Sequence, residues 1–199
     1  MSSRDLKLHL TAITYGARAE IELRPTIPDS ARGDPAKIDT WVQNLSMSIA
    51  KDIKHTNEWE CTVCGKLARE SKYNVVFMTH LPQPRAIFYI YNVCAAGENT
   101  CNQITQAEND MVLAIAGTTP NPRVAPPAVM SEHDAQMLTF PLASSCAKCR
   151  DAKTGQKGYK LFRCGGCKLT RYCCPGCQKA DWGRHKKACK MIESVYWVW

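Results

Sequence analysis

The sequence predicts a small α+β protein that is stabilised by metal. Twelve cysteines occur in 199 residues, and most of them stand in the close pairs that metal ions favour as ligands. Strand-like apolar runs and amphipathic helical patterns occur together in residues 1–116, as expected of a mixed fold. The last quarter of the chain is too short to bury a core of its own, so metal must supply the folding free energy there.

Residues 1–116 are predicted to form an α+β N-terminal domain. Asp34 and Pro35 supply the N-cap and the first-turn proline of an amphipathic helix, while residues 24–33 favour a loop. A strand is predicted near the start of the chain by three alternating leucines: Leu6, Leu8 and Leu10. The apolar stripe of the helix recurs at three- and four-residue steps: Ile38, Trp41, Val42, Leu45, Ile49 and Ile53.

A zinc ribbon is predicted inside this domain, over residues 61–101. Two strand patterns, 73–80 and 85–93, lie between two pairs of cysteines. The four predicted ligands of this third zinc site are Cys61, Cys64, Cys94 and Cys101. His80 is an alternative to one thiol, and a reduced CxxC in a β-rich core is the alternative to a metal site. A thioredoxin-like redox role fits less well, because no βαβ pattern surrounds the CxxC.

A helix and two connecting segments follow. Residues 102–115 carry a less regular apolar stripe that predicts the helix. Residues 117–130 contain four prolines and are predicted to be a semi-rigid linker, and residues 131–145 are predicted to be a short connecting helix or loop. Within the linker, residues 122–126 read PxVxP.

Eight metal-ligand residues stand between positions 146 and 189. Their spacings are CxxC, CxxC, CxxxC and HxxxC, which supply the four donors that each of two tetrahedral zinc ions requires. A helix over 178–189 places the last two ligands on one face. The eight residues are Cys146, Cys149, Cys164, Cys167, Cys173, Cys177, His185 and Cys189.

From position 164 the chain reads CGGCKLTRYCCPGCQKADWGRHKKAC. This segment closely resembles the MYND zinc finger, whose pattern ends CxxCxxxxYC, then CQ, W, H and C at matching intervals. The resemblance implies a cross-brace of two ligand sets, and it leaves Cys174 as a spare thiol. The first set is Cys146, Cys149, Cys173 and Cys177, and the second is Cys164, Cys167, His185 and Cys189.

The resemblance also implies a binding function. Closed zinc quartets rich in cysteine are structural, so we expect both ions to act as scaffolding. MYND fingers usually dock short proline-rich peptides of PxLxP type, laid as a strand against the finger's hairpin. The positions that correspond to peptide contacts here are Gln178, Trp182, Leu169, Tyr172 and Gly165, the last being Ser in some members.

The sequence is compatible with three classes of function. The preferred hypothesis is a non-enzymatic zinc-binding adaptor that docks peptides, with a role in transcriptional regulation. The alternative is a nucleic-acid-binding protein, because residues 146–190 carry 13 Lys and Arg against Asp151 and Asp181. A methyltransferase is ranked below both, since the chain has neither the Asn-His-Ser-like cofactor segment nor the length of a SET domain.

Composition indicates the cellular setting. The net charge is +8, and no apolar stretch approaches the roughly 20 residues of a membrane span. The first residues lack the apolar core of a signal peptide, so we expect reduced cysteines and a location in the nucleus or cytoplasm. Residues 190–199 form an unusually aromatic tail, which we expect to fold back onto the protein.

Overall fold

A five-stranded mixed sheet is the largest element of the computed structural model, which describes residues 6–15, 19–95, 99–115, 117 and 142–198. Its strands are β1 His9–Tyr15, β2 Ala19–Leu23, β3 Glu70–Met78, β4 Arg85–Val93 and β7 Ile192–Trp197. They lie in the order β3-β4-β1-β2-β7. Strands β1 and β4 are parallel, and the other neighbouring pairs are antiparallel.

Three helices and a small hairpin complete the described structure. The helices are α1 Pro35–Lys54, α2 Thr100–Ile115 and α3 Pro175–Met191, and the hairpin pairs β5 Phe162–Arg163 with β6 Arg171–Tyr172. Two single turns of 3-10 helix lie at Asp29–Ala31 and Ala152–Gly155. Helix α1 begins as predicted, because the Asp34 carboxylate accepts a hydrogen bond from the Lys37 N–H at 3.2 Å and Pro35 follows it.

The hydrophobic core lies between one face of the sheet and α1. Strands β1 and β2 bury every second side chain, as a sheet with one covered face must. The predicted helical stripe faces this layer, since Ile38, Val42, Ile49 and Ile53 are all buried. The predicted α+β fold class is confirmed, with cysteine clusters beside the sheet.

Several element bounds differ from the sequence-based ones. The first ribbon strand covers Glu70–Met78 instead of 73–80, while the second, Arg85–Val93, is as predicted. Helix α2 begins two residues earlier than predicted, and α3 extends beyond 178–189 at both ends. Strands β2 and β7 were not predicted: β2 contains two glutamates, which strands disfavour, and the pairing partners of β7 lie at the opposite end of the chain.

One core spans the predicted boundary between the N-terminal part and residues 146–189. Leu8, Phe88 and Val42 belong to the same buried cluster as Leu169 and Tyr172. The aromatic tail continues α3 as strand β7, and the Trp197 ring lies 6.4 Å from the Trp59 ring. The division of the chain into separate domains stays a prediction. Apart from Gly117 and residues 142–145, the predicted linker 117–130, its PxVxP motif and the connection 131–145 lie outside the described residues.

Candidate metal centres and the surface beside them

Three groups of potential metal ligands come together in the part of the chain that the structure describes. Within each group the ligand atoms all lie within 4.8 Å of one another. The first centre is Cys146, Cys149, Cys173 and Cys177, the second is Cys164, Cys167, His185 and Cys189, and the third is Cys61, Cys64, Cys94 and Cys101. The structure thus groups the twelve residues in the sets given by the resemblance and by the ribbon pattern.

The first centre lies at the surface, between the turn at residues 146–149 and the start of α3. The Sγ atoms of Cys149 and Cys173 are 3.8 Å apart, and those of Cys173 and Cys177 are 3.5 Å apart. A tetrahedral zinc ion with Zn–S bonds near 2.3 Å separates its sulfur ligands by roughly 3.7 Å. These separations therefore fit zinc, although Cys149 is exposed to solvent.

The second centre is buried between the hairpin and α3. The Sγ atoms of Cys164 and Cys189 are 3.9 Å apart, and Cys167 Sγ lies 3.6 Å from His185 Nε2. One helical turn separates His185 from Cys189, so both side chains point to the same side of α3. Three thiolates and one imidazole form a closed ligand set that suits a structural zinc ion.

The third centre links the loop before β3 to the end of β4 and the first turn of α2. Cys61 and Cys64 lie in a tight turn closed by the Gly65 N–H, which donates to the Cys61 carbonyl at 3.0 Å. Gly65 has a φ of 70°, which favours glycine at this position. His80 is exposed in the turn after β3 and is not part of the ligand group, which consists of four cysteines.

Cysteines of the three centres have shifted pKa values. Burial raises the pKa of the first cysteine in each group, but backbone N–H groups of the following turn outweigh it and bring the pKa of Cys61, Cys146 and Cys164 to about 7. Burial and the neighbouring thiols raise the pKa of Cys189 to about 12. Thiolates held this close repel one another, and a Zn²⁺ ion bound among them would offset their charge.

Cys174 lies outside the three ligand groups. It is the N-cap of α3, and its sulfur accepts a hydrogen bond from the Cys177 N–H at 3.4 Å. Pro175 follows at the first helical position, which explains why α3 starts before the predicted residue 178. The extra thiol therefore has a local capping role in the fold.

An open surface pocket lies beside the second centre on α3. It has a volume of about 340 Å³ and is lined by Pro175, Gln178, Lys179 and Trp182. The Trp182 side chain is 41% exposed, yet its ring centroid lies 6.0 Å from that of His185. The same ring thus packs on a metal ligand and presents an apolar surface to solvent.

Two of the five predicted peptide contacts are placed differently. Leu169 and Tyr172 are each only 1% exposed, because both side chains pack in the core that joins the hairpin to α1. Their side chains therefore do not reach a peptide at the surface, and the strand contact predicted at Leu169 and Tyr172 stays a prediction, as do the contacts at Gln178, Trp182 and Gly165. Gly165 is exposed, and a side chain added there would meet no atom within 4 Å.

The hairpin has one occupied edge and one free edge. On β6, the Arg171 N–H donates to the His55 carbonyl at 3.0 Å, and the Arg171 carbonyl accepts from the Ala147 N–H at 3.1 Å. Arg163 opposes Arg171 across the hairpin, and bonded and non-bonded pairs alternate in antiparallel strands. The Arg163 main-chain groups therefore face away from β6, where no backbone hydrogen bond among the described residues engages them.

A known family matches the C-terminal segment. The family described as MYND finger matches residues 145–189. These residues are a MYND-type zinc finger. The match covers less than a quarter of the chain, and MYND fingers are protein–protein interaction modules.

Individual relatives are similar to this chain over the finger. SET domain and MYND-type zinc finger protein 6 of Schizosaccharomyces pombe is 42% identical over 53 residues, which are 27% of this chain and 10% of that protein. Tudor domain-containing protein 1 of Oryzias latipes is 43% identical over 53 residues, 27% of this chain and 4% of that protein. Histone-lysine N-methyltransferase SMYD3 of Homo sapiens is 46% identical over 35 residues, 18% of this chain and 8% of that protein.

The chain therefore spans a tenth or less of the length of these relatives. The similarity to methyltransferases is confined to the finger, which is not a catalytic module. No solved structure matches the chain significantly. Of the helices that the structure describes, none combines the length and apolar character needed to cross a membrane.

Sequence reasoning missed one residue beside the finger, Asp52 of α1. Its carboxylate is fully buried and lies 2.7 Å from His185 Nδ1. Asp52 falls three residues after Ile49 and next to Ile53, so it lies on the buried stripe of an amphipathic helix. A carboxylate on such a stripe needs a partner, and this signal could have identified Asp52, although not its partner.

Proposed function

We propose that this protein is a non-enzymatic adaptor whose MYND finger docks short, extended, proline-rich peptides of partner proteins. The observation that carries the proposal is the pocket on α3, in which an exposed Trp182 lies beside Gln178 and Pro175. Flat aromatic rings pack well against proline, and a neighbouring amide can hydrogen-bond to an extended backbone. We place this function in the nucleus or cytoplasm, in transcriptional regulation.

The free edge of the hairpin gives the peptide a place to pair. Arg163 of β5 directs its N–H and carbonyl outward, whereas β6 is already bound to His55 and Ala147. The Gln178 Nε2 lies 3.6 Å from Cys164 Sγ, which brings the pocket next to the end of β5. A peptide strand paired with β5 would therefore run past Gly165 towards Gln178 and Trp182.

The closed ligand sets support a binding role over a catalytic one. Each finger centre has four protein donors, so a zinc ion bound there keeps no position for a reactive water. The two ions hold the hairpin and α3 together, and the peptide contacts come from side chains beside them.

Peptide affinity of the full chain with its zinc tests the proposal. We expect Trp182→Ala to weaken binding of a PxLxP-type peptide on the order of 10-fold or more, as for an aromatic anchor. Met111→Ala is the matched control, because Met111 is an exposed apolar residue on α2 away from the pocket. Zinc content should stay at the wild-type level in both variants. Unchanged affinity in Trp182→Ala would refute the peptide site.

A gain of affinity can be tested at Gly165. The position is open, so Gly165→Ser introduces a hydroxyl without a clash. Some MYND fingers carry Ser at this contact, and one added hydrogen bond contributes about 1 kcal/mol, or roughly 5-fold in affinity. Lys168→Ser is the control, since Lys168 is also exposed and lies on the same loop. Weaker binding by Gly165→Ser would contradict the proposed path of the peptide.

Nucleic-acid binding is the second candidate, and the exposed charge of the finger favours it. Nine of its basic residues are exposed: Lys148, Arg150, Lys153, Lys157, Lys160, Lys168, Lys179, Lys186 and Lys187. Such a surface can contact phosphates, in which case affinity falls steeply with salt. A strong salt-dependent affinity for duplex or single-stranded DNA, together with no affinity for proline-rich peptides, would favour this function over the adaptor.

A further inference from the structure

A buried carboxylate of helix α1 lies beside the second metal centre of the finger. Asp52 has no solvent-exposed surface, and its Oδ1 lies 2.7 Å from His185 Nδ1. Asp52 lies far outside the matched residues 145–189. A residue from the N-terminal part of the chain therefore contacts a ligand of the finger's second centre.

The two ring nitrogens of His185 have different partners. Nε2 lies 3.6 Å from Cys167 Sγ, inside the ligand group, while Nδ1 faces Asp52. An ionised carboxylate can only accept hydrogen bonds, so Nδ1 must carry the proton that it donates. This contact leaves the Nε2 lone pair free for a metal ion and fixes the plane of the ring.

Asp52 is itself held in place by a paired charge. Arg184 donates to both of its oxygens, at 2.7 and 2.9 Å, and the Thr170 hydroxyl donates at 3.1 Å. Arg184 also binds Asp181 at 3.0 Å, and the Tyr172 hydroxyl donates to Asp181 at 3.0 Å. A bidentate guanidinium offsets the cost of burying the carboxylate and restricts it to one orientation.

We propose that Asp52 is the outer-sphere carboxylate of the second metal centre, so that retention of this one ion depends on the docking of α1. The carboxylate positions His185 and takes no part in coordination. The other two centres contain only thiolates and have no such requirement. This inference does not depend on peptide binding, so it stands or falls separately from the proposed function.

Zinc release from the full-length protein tests this dependence. In Asp52→Asn the side chain keeps its shape but loses its charge and part of its acceptor capacity. We expect one zinc ion to pass to a chelator about 10- to 100-fold more readily, with the remaining zinc released at the wild-type rate. Asp52→Glu should restore part of the retention. Asp39→Asn is the matched control, because Asp39 lies on the same helix and accepts a hydrogen bond from Thr79 away from the metal centres.

Substitution with cadmium shows which centre responds. Cadmium NMR separates a centre of three thiolates and one imidazole from centres of four thiolates, and only the former should change in Asp52→Asn. If all centres weaken together in proportion to lost stability, Asp52 is merely structural and the proposal is wrong.

A measurement on the wild type decides the case even where a variant fails to fold. Nitrogen NMR of His185 in the zinc-loaded protein should show a protonated Nδ1 and a metal-bound Nε2. The opposite arrangement of proton and metal would overturn the proposal, because Asp52 would then face a nitrogen that has no proton to donate.

Discussion

The two metal centres of the finger are alike in the spacing of their ligands and differ in their surroundings. The first consists of four cysteines, one of them exposed, and lies between a surface turn and the start of α3. The second contains His185, which is fully buried and hydrogen-bonded to Asp52 of α1. Cys146 of the first centre packs in the core shared with the N-terminal part, but among the described ligands only His185 of the second centre hydrogen-bonds to a side chain of that part.

One metal centre of the finger is thus partly exposed at the surface, while the other is hydrogen-bonded to a helix outside the finger. The first centre combines the buried Cys146 with the exposed Cys149. The buried centre shares its environment with Arg184, Thr170 and Asp181, all of which belong to one network with Asp52. We therefore expect loss of zinc from the second centre to destabilise the sheet, and loss of zinc from the first centre to affect the finger alone.

The largest expected effect is the loss of a ligand from the buried centre. Cys167→Ser should cost roughly 4 kcal/mol or more of unfolding free energy, because it removes a structural zinc ion and loosens α1. Cys149→Ser should also cost one zinc ion but leave the N-terminal sheet folded. Elemental analysis and amide hydrogen exchange of β1 and β4 would measure this. Equal loss of protection in the sheet for both variants would contradict the comparison.

The second prediction concerns metal removal. A chelator should take zinc from the exposed first centre faster than from the buried second one, by on the order of 10-fold, since ligand exchange there needs a local opening. A colorimetric chelator would record at least two phases. Cys149→Ser should remove a fast phase, and loss of a slow phase instead would show that exposure does not control release.

The third prediction concerns pH at the junction of α1 and the finger. Burial and the neighbouring Lys54 lower the pKa of His55 from 6.5 to about 3, and its Nδ1 lies 2.8 Å from the Ser145 carbonyl. The unfolded chain therefore binds a proton below about pH 6.5 that the folded chain does not, so stability falls on acidification at up to about 1.4 kcal/mol per pH unit.

Denaturant unfolding between about pH 7.5 and about pH 5.5 would reveal this slope. His55→Gln should flatten it, because glutamine does not titrate, and zinc content should be verified at each pH so that metal loss is not counted. A slope that is unchanged in His55→Gln would assign the pH dependence to other groups.

The smallest predicted effect lies at the periphery of the Asp52 network. Tyr172→Phe removes the hydroxyl that donates to Asp181 at 3.0 Å, while Asp181 keeps its bond to Arg184. We expect a loss of about 1 kcal/mol and unchanged zinc content. Tyr196→Phe, at a 57% exposed position, should be neutral. A larger effect on zinc than on stability would show that Tyr172 acts on the metal centre directly.

Local patterns in the sequence predicted much of this protein. Cysteine spacing indicated three metal centres. The apolar stripe indicated helix α1, and Asp34 and Pro35 indicated where it begins. Such features depend on residues a few positions apart, so they can be recognised along the chain. Strand β2 was not predicted, because no such local pattern marks it. Its two glutamates lie on its less buried face, and its place in the sheet depends on the neighbouring strands.

The sequence by itself determined which residues can bind metal, because ligand chemistry and loop closure act over short stretches. Tertiary structure alone decided that Leu169 and Tyr172 are buried, that the β6 edge is occupied, and that Asp52 reaches His185. These outcomes join positions more than a hundred residues apart. They follow from how α1 packs against the finger, which no local pattern in the sequence encodes.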